Sequence, residues 1–204
     1  MRLVIGTTNP GKVAQMAGAL SGSPFECVAI SEIVDAVPRV DEVGESPTAI
    51  AERKALAYRD AVKGPVLSLD QWLYFDEAQP HDQPRAHVRR IPGRPDGATD
   101  DQLVDYYVAL CRWYGGRLTA RWHLGVAVAT EGGVNSICIE AVRSLVTTPS
   151  PVRRPGLPLS CLQIDRATGK YVSEHTDAEE TELWQRAYGT ELVEFVSRSL
   201  ADVG

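Results

Sequence analysis

The chain has 204 residues, 44% of them hydrophobic, which is enough to bury a core in one domain spanning 1–204. A formal net charge of −6 excludes a protein that grips nucleic acid through a broad basic surface, since that mode sets many Lys and Arg against phosphates, although a few local cations still suffice for a small anion. No apolar run is long enough to span a membrane, and Met1-Arg2-Leu3-Val4-Ile5-Gly6 is too short for the hydrophobic region of a signal peptide, so a soluble, cytoplasmic protein without membrane or nucleic-acid partners is expected.

In chain order, residues 2–6 read as a strand, and Thr7-Thr8-Asn9-Pro10 as a loop into a helix from Gly11 to Leu20 that ends at Ser21-Gly22-Ser23-Pro24. A second strand covers Glu26 to Ile30, followed by a polar, acidic stretch to Glu45. Ser46-Pro47 supplies an N-cap and a first-turn proline for a helix to Val62, stopped before Gly64-Pro65. Pro65 to Leu69 is strand-like and ends at Asp70, with a further extended piece at Trp72, Tyr74 and Phe75. From Asp76 to Gly97 the chain is rich in Pro, His, Arg and Asp without a period, which predicts a long surface loop of the kind that often serves as a lid.

Thr99-Asp100-Asp101-Gln102 fits a capping box, and Leu103, Tyr106, Leu110 and Trp113 give the following helix its apolar stripe before Gly115-Gly116. Leu118 to Ala129 and Val134 to Val146 read as two long strands joined at Glu131-Gly132-Gly133. A short strand near Leu159 to Ile164 follows the proline-rich turn, then Thr176-Asp177-Ala178-Glu179 caps a helix to Tyr188, and Glu191 to Leu200 completes the chain. Strands that alternate early with helices and then form a long hairpin imply a mixed α/β sheet.

Cys27, Cys111, Cys138 and Cys161 are scattered without paired spacing, which fits buried thiols better than disulfides or a zinc site. His81, His87, His123 and His175 form no recognisable ligand spacing. The sharpest local feature is Gly6-Thr7-Thr8-Asn9-Pro10-Gly11-Lys12-Val13, which meets the GxxxxGK spacing of a P-loop and then fails. A P-loop places Ser or Thr after the lysine to hold Mg²⁺, and Val13 has no oxygen to offer. What survives is a strand-to-helix loop with two hydroxyls, an amide, helix N-terminal N–H groups and an ammonium one turn in, all suited to a polyphosphate; an ordinary βα turn with a solvated lysine fits the same residues.

Asp41, Glu42 and Asp70 are the candidate carboxylates for a hard divalent cation. Asp70 stands out because it follows the apolar Val66-Leu67-Ser68-Leu69 at the end of a strand, where ligands collect in α/β sheets. Lys54 projects from the second helix, where a surface salt bridge would explain it equally well.

Together these segments carry a family resemblance. Thr7-Thr8-Asn9-Pro10-Gly11-Lys12 resembles the opening (T/S)xNxxK signature of the Ham1/inosine-triphosphate pyrophosphatase family, and Glu42-Val43-Gly44 with Lys54-Ala55 keeps that family's spacing from acidic residue to helix lysine. Gly64 to Leu73 is similar to the strand carrying its acidic catalytic motif, with Asp70 on the key aspartate. Ala98 to Asp101, Thr119 to His123 and Gly169 to Arg186 resemble later segments, so the similarity runs over nearly the whole chain and is most specific in the first 75 residues.

The resemblance implies an α/β fold with a mixed, elongated, twisted sheet flanked by helices, the bilobed architecture of Maf and Ham1 proteins. It implies a nucleoside triphosphate pyrophosphatase dependent on Mg²⁺ or Mn²⁺, with Thr7, Thr8, Asn9, Lys12 and Lys54 on the triphosphate, Glu42 and Asp70 on the metal, and Asp70 also serving the attacking water. Arg186 is left as a phosphate or base contact. A homodimer is expected, the aromatic-rich helix with Tyr106, Tyr107, Trp113 and Tyr114 having more large side chains than one core stripe uses.

Departures from the family pattern are equally specific. Leu69 stands where a second acid usually precedes the aspartate, and Gln71-Trp72 where small residues usually follow. The purine-contacting segment has become Gly156-Leu157-Pro158-Leu159-Ser160-Cys161, without its aspartate. A nucleotide-binding or regulatory protein that has lost turnover is therefore the alternative; a P-loop phosphotransferase is disfavoured by Val13.

Overall fold

The computed structural model describes residues 1–41, 44–94, 97–154 and 156–201. A six-stranded sheet has the order β2-β1-β3-β4-β5-β6, formed by β1 (Arg2–Gly6), β2 (Glu26–Ala29), β3 (Val66–Phe75), β4 (Arg117–Thr130), β5 (Gly133–Val146) and β6 (Gln163–Ile164). The sheet is mixed, as the element pattern implies: β1 runs parallel to β2 and β3, while β5 and β6 are antiparallel. The neighbours β4 and β5 are joined by Glu131-Gly132, a connection short enough only for antiparallel strands. The flanking helices are α1 (Pro10–Ala19), α2 (Pro47–Val62), α3 (Asp100–Trp113), α4 (Asp177–Trp184) and α5 (Thr190–Ala201).

Two compact units are present, and β3, β4 and β5 contribute residues to both. The first comprises Met1–Gln71, His123–Glu140 and the chain from Thr181. In it, β1 lies between β2 and β3, with Gly6 paired to Ser68. Because β1 and β3 are parallel and in this register, the loop after Gly6 and the carboxylate two residues after Ser68 emerge at the same level of the sheet. Leu3, Ile5, Met16, Ile50, Leu67 and Leu69 are fully buried around these strands. Two glycines permit close approach: a Cβ on Gly6 would lie 2.1 Å from Ser68 Oγ, and one on Gly125 would lie 2.2 Å from the backbone carbon of Pro47 at the start of α2.

The helix starts are set by local chemistry. Asn9 caps α1 ahead of Pro10, and the Ser46 side chain accepts from Ala49 N at 3.1 Å ahead of Pro47 in α2. At the C-terminal side, α4 passes into a π turn, Gln185–Gly189, before α5 resumes at Thr190. The helix expected to reach Tyr188 does so, its last residues as this π turn, which packs on α1 with Gln185 Nε2 donating to Ser21 O at 2.9 Å and Gly189 against Ala19 O.

The second unit comprises Trp72–Trp122 and Ala141–Glu180. Its core gathers Leu73, Phe75, Leu103, Tyr107, Leu118, Leu145 and Leu162. The buried face of α3 is Leu103, Val104, Tyr107, Val108, Leu110 and Cys111, with Tyr106 of the expected stripe partly buried against the same core, whereas Trp113 is 80% exposed, which corrects its place in that stripe. Tyr106 packs edge-on against Tyr107, and Tyr114 donates its hydroxyl to Asp82 at 2.5 Å, so only Trp113 remains as a surplus aromatic on this helix.

β3 is one strand of ten residues that runs through Asp70 rather than ending there. The long surface loop expected after it is present, and it is tied to the core. Leu73 and Arg85 exchange backbone hydrogen bonds at 2.9 and 3.1 Å, Gln83 bonds Phe75 at both N and O, and Val88 and Ile91 pack on the core. Among the described residues no helix is long and apolar enough to cross a membrane.

Candidate active site

The carboxyl end of β1, the middle of β3, the first turn of α1 and the third turn of α2 bring their side chains together at Asp70. Lys54 Nζ, from the third turn of α2, lies 3.2 Å from Asp70 Oδ1, and Lys12 Nζ, from the first turn of α1, lies 3.9 Å from the same oxygen. Lys54 and Asp70 are 7% and 8% exposed, so this is an ion cluster largely withdrawn from water, while Lys12 is half-buried. Two ammoniums meet at one carboxylate here, and ammoniums are groups that an anion can draw on. Burial makes their charge worth more than on an open surface.

The loop before α1 is tightly organised. Asn9 Oδ1 accepts from Gly11 N at 2.9 Å and Lys12 N at 3.3 Å, Asn9 O accepts from Val13 N at 3.1 Å, and Asn9 N donates to Thr7 Oγ1 at 3.2 Å. The N–H groups of the first helical turn, read from the sequence as open to a phosphate, are therefore taken by Asn9 itself. Pro10 has none to offer. Thr8 is exposed and Thr7 half-buried at the mouth of this loop. Val13 follows Lys12 without a hydroxyl, so nothing here completes a P-loop.

Sequence reasoning missed Gln15 and Gln71. Gln71 Nε2 donates to Gln15 Oε1 at 2.9 Å, and Gln15 is 2% exposed, so an amide pair ties β3 to α1 beside the ion cluster. The available signal was spacing: Gln15 sits three residues after Lys12 on one helix face, and Gln71 directly follows Asp70. Leu69, in the position preceding the aspartate, is fully buried, and Trp72 is 8% exposed.

Glu42 lies outside the described residues, and Asp41 is exposed. Arg186 belongs to the π turn that packs on the C-terminal end of α1, the opposite end from Lys12, and pairs with Glu182 at 3.7 Å. Among the described residues no cluster of three or more His, Cys, Asp or Glu could by itself enclose a metal ion. One buried carboxylate still fits Mg²⁺ carried by a nucleotide, since that ion keeps waters and phosphate oxygens and takes only one or two protein carboxylates. The cysteines are free, two of them buried and Cys138 exposed.

The dITP/XTP pyrophosphatase of Anaeromyxobacter sp. (strain Fw109-5) is 34% identical over 76 residues, a stretch covering 37% of this chain and only 33% of that relative. Among solved structures, a HAM1 protein from Coxiella burnetii superposes with a TM-score of 0.71 at 17% identity, covering 97% of this chain and 99% of that one. The Staphylococcus aureus Ham1 protein gives 0.69 at 15% identity over 98% and 100% of the two chains. A nucleoside-triphosphatase, or dITP/XTP pyrophosphatase, from Mycobacterium abscessus gives 0.62 at 18% over 95% and 98%. At these identities the superpositions establish the fold alone. The Ham1 family model itself matches residues 3–149, well over half of the sequence, and the chain belongs to the Ham1 family.

Proposed function

We propose that this chain is a nucleoside triphosphate pyrophosphatase, cleaving the α–β phosphoanhydride to give a nucleoside monophosphate and pyrophosphate. The observation that carries the reading is the placement of two lysine ammoniums, from two different helices, on one buried carboxylate oxygen of Asp70. Non-canonical purine nucleotides are the proposed substrate class, supported by the name of the Anaeromyxobacter relative.

In this reading the triphosphate enters over the Thr7-Thr8-Asn9 loop, and Lys12 and Lys54 exchange Asp70 for phosphate oxygens. Their charges offset the negative charge that makes the phosphorus atom hard to attack. Thr7 and Thr8 offer hydroxyls to the same oxygens, and Asn9 keeps the loop in shape through its bonds to Gly11 and Lys12. Asp70, released from its lysines, aligns a water molecule. As the water oxygen bonds to the α-phosphorus, the bond to the bridging oxygen breaks, its electron pair leaves with pyrophosphate, and the water's proton passes to solvent or to Asp70. Mg²⁺ or Mn²⁺, held by Asp70 and Glu42 with the phosphates, would supply further charge neutralisation. Arg186, at the far end of α1, is given no role in these steps. A homodimer is proposed on the family resemblance, with the exposed Trp113 as a surface for a second copy to cover.

The test is pyrophosphate release from a panel of natural, deaminated and modified nucleoside triphosphates with Mg²⁺ or Mn²⁺, beside Asp70→Asn. Release abolished in the variant is expected. No release from any nucleotide, with tight nucleotide binding retained, would favour a binding protein that has lost turnover, the reading suggested by the buried Leu69 where a second acid is usual.

A further inference from the structure

The segment from Pro84 to Arg94 concentrates cationic side chains in an otherwise acidic chain: Arg85, His87, Arg89, Arg90 and Arg94 fall in a stretch with no Asp or Glu. All five are exposed. Arg89 pairs with Asp100 at 2.8 Å, and among the described residues no carboxylate pairs with Arg85, Arg90 or Arg94.

This is a held surface, not a loose loop. Arg85 is fixed at φ 50 by its two backbone bonds to Leu73, and Tyr107 Oη donates to Val88 O at 3.0 Å. Successive turns follow, with His87 N donating to Pro84 O and Arg90 N to His87 O, each at 2.8 Å, and Arg94 N to Ile91 O at 3.0 Å. Val88 and Ile91 turn inward onto the core, which leaves the intervening guanidiniums facing water.

We propose that this arginine ridge binds a short polyphosphate, the group shared by nucleoside triphosphates and inorganic phosphate chains, as a second anion site distinct from the Lys12–Asp70–Lys54 cluster. Guanidiniums stay charged at any physiological pH and present planar forks that match phosphate oxygens. A few unpaired arginines match the charge of one short chain. A long nucleic acid needs many more contacts and would be repelled by the net charge of −6. An acidic peptide would seek apolar pockets between the charges, and the ridge's larger apolar side chains are turned into the core. The inference concerns binding and stands whether or not the chain hydrolyses nucleotides.

The test is equilibrium binding of inorganic tripolyphosphate to the full-length Lys12→Met/Lys54→Met protein at low and moderate salt. Saturable binding that weakens with salt is expected, falling about tenfold when Arg90→Gln and Arg94→Gln are added and partly restored by Arg90→Lys and Arg94→Lys. Binding absent from the lysine double variant, or unchanged by the glutamines, would overturn the proposal. A single-stranded oligonucleotide bound more tightly than tripolyphosphate would overturn it too. If the lysine variant does not fold, the Arg90→Gln/Arg94→Gln change in the otherwise native chain must remove one of two bound tripolyphosphate equivalents, and retention of both sinks the idea. Pyrophosphate release by the native chain is read separately, so its failure is not confused with failure of the ridge.

Discussion

Lys54 and Asp70 sit sixteen residues apart in sequence and 3.2 Å apart in space, on α2 and β3, and each is less than a tenth exposed. A pair so enclosed behaves unlike a surface salt bridge, because removing one member strands the other. Lys54→Met should therefore destabilise the fold by about 1–3 kcal/mol, less than the full cost of an orphaned buried charge, since Lys12 remains at 3.9 Å. Asp70→Asn should cost less stability but lower pyrophosphate release by roughly 10²-fold or more. Urea titrations and release assays on both variants check the pattern. Equal stability loss with full release in Asp70→Asn would remove that residue from the chemistry.

The two crowded glycines should respond differently. Gly6→Ala drives a methyl into Ser68 Oγ and Tyr58, which are side-chain atoms. A cost of about 1–3 kcal/mol is expected, partly recovered by adding Ser68→Ala. Gly125→Ala meets the backbone of Pro47 and Thr48, which cannot rotate aside. It should displace the start of α2, cost more than Gly6→Ala, and resist rescue by any side-chain trimming. Thermal denaturation of the three proteins decides between these outcomes.

The helix starts were legible because their signals are local. Asn9-Pro10, Ser46-Pro47 and Thr99 with Gln102 each announce a helix start within four residues, and the structure begins α1, α2 and α3 there. The segment after β3 carried no such signal: it is held by Gln83, Val88 and Ile91, whose spacing matches neither a helix nor a strand. On α3 the stripes through Tyr106 or Tyr107 are both helical in period, and Val104, Val108 and Cys111 decide for the second. In the site, Asp70, Lys12 and Lys54 could be named from the family motifs, but the amide pair of Gln15 and Gln71 needs two elements in register, which one sequence does not display.

The end of α2 offers a test of backbone strain. Lys63 occupies the left-handed region at φ 59 and ψ 38, where its N–H still reaches Arg59 O at 2.8 Å. A side chain there costs about 1 kcal/mol relative to glycine. Lys63→Gly should raise the unfolding midpoint, by about 0.5–1 kcal/mol in stability, and Lys63→Ala should leave it nearly unchanged. If both variants destabilise equally, the lysine side chain is contributing a contact that outweighs the strain.

The start of α4 predicts an acid-sensitive element. Glu179 accepts from Thr176 N at 2.9 Å while its own N–H donates to Thr176 Oγ1 at 3.3 Å, and Lys170 hydrogen-bonds the same carboxylate. The Lys170 ammonium first, and then the Thr176 N–H, hold the Glu179 carboxyl down from the ordinary 4.5 to about 2. A carboxyl lowered in the folded state favours folding most above its unfolded value, so its contribution is fully present above about pH 4.5 and disappears as pH falls through about 2. Glu179→Gln keeps an oxygen acceptor for the cap but loses the charge. The native chain should therefore exceed Glu179→Gln in urea midpoint at neutral pH, and the gap should close between about pH 4.5 and 2, where titration of the remaining carboxyls is common to both proteins and cancels. A gap that stays constant across that window would mean the Lys170–Glu179 pair contributes through packing and not through charge.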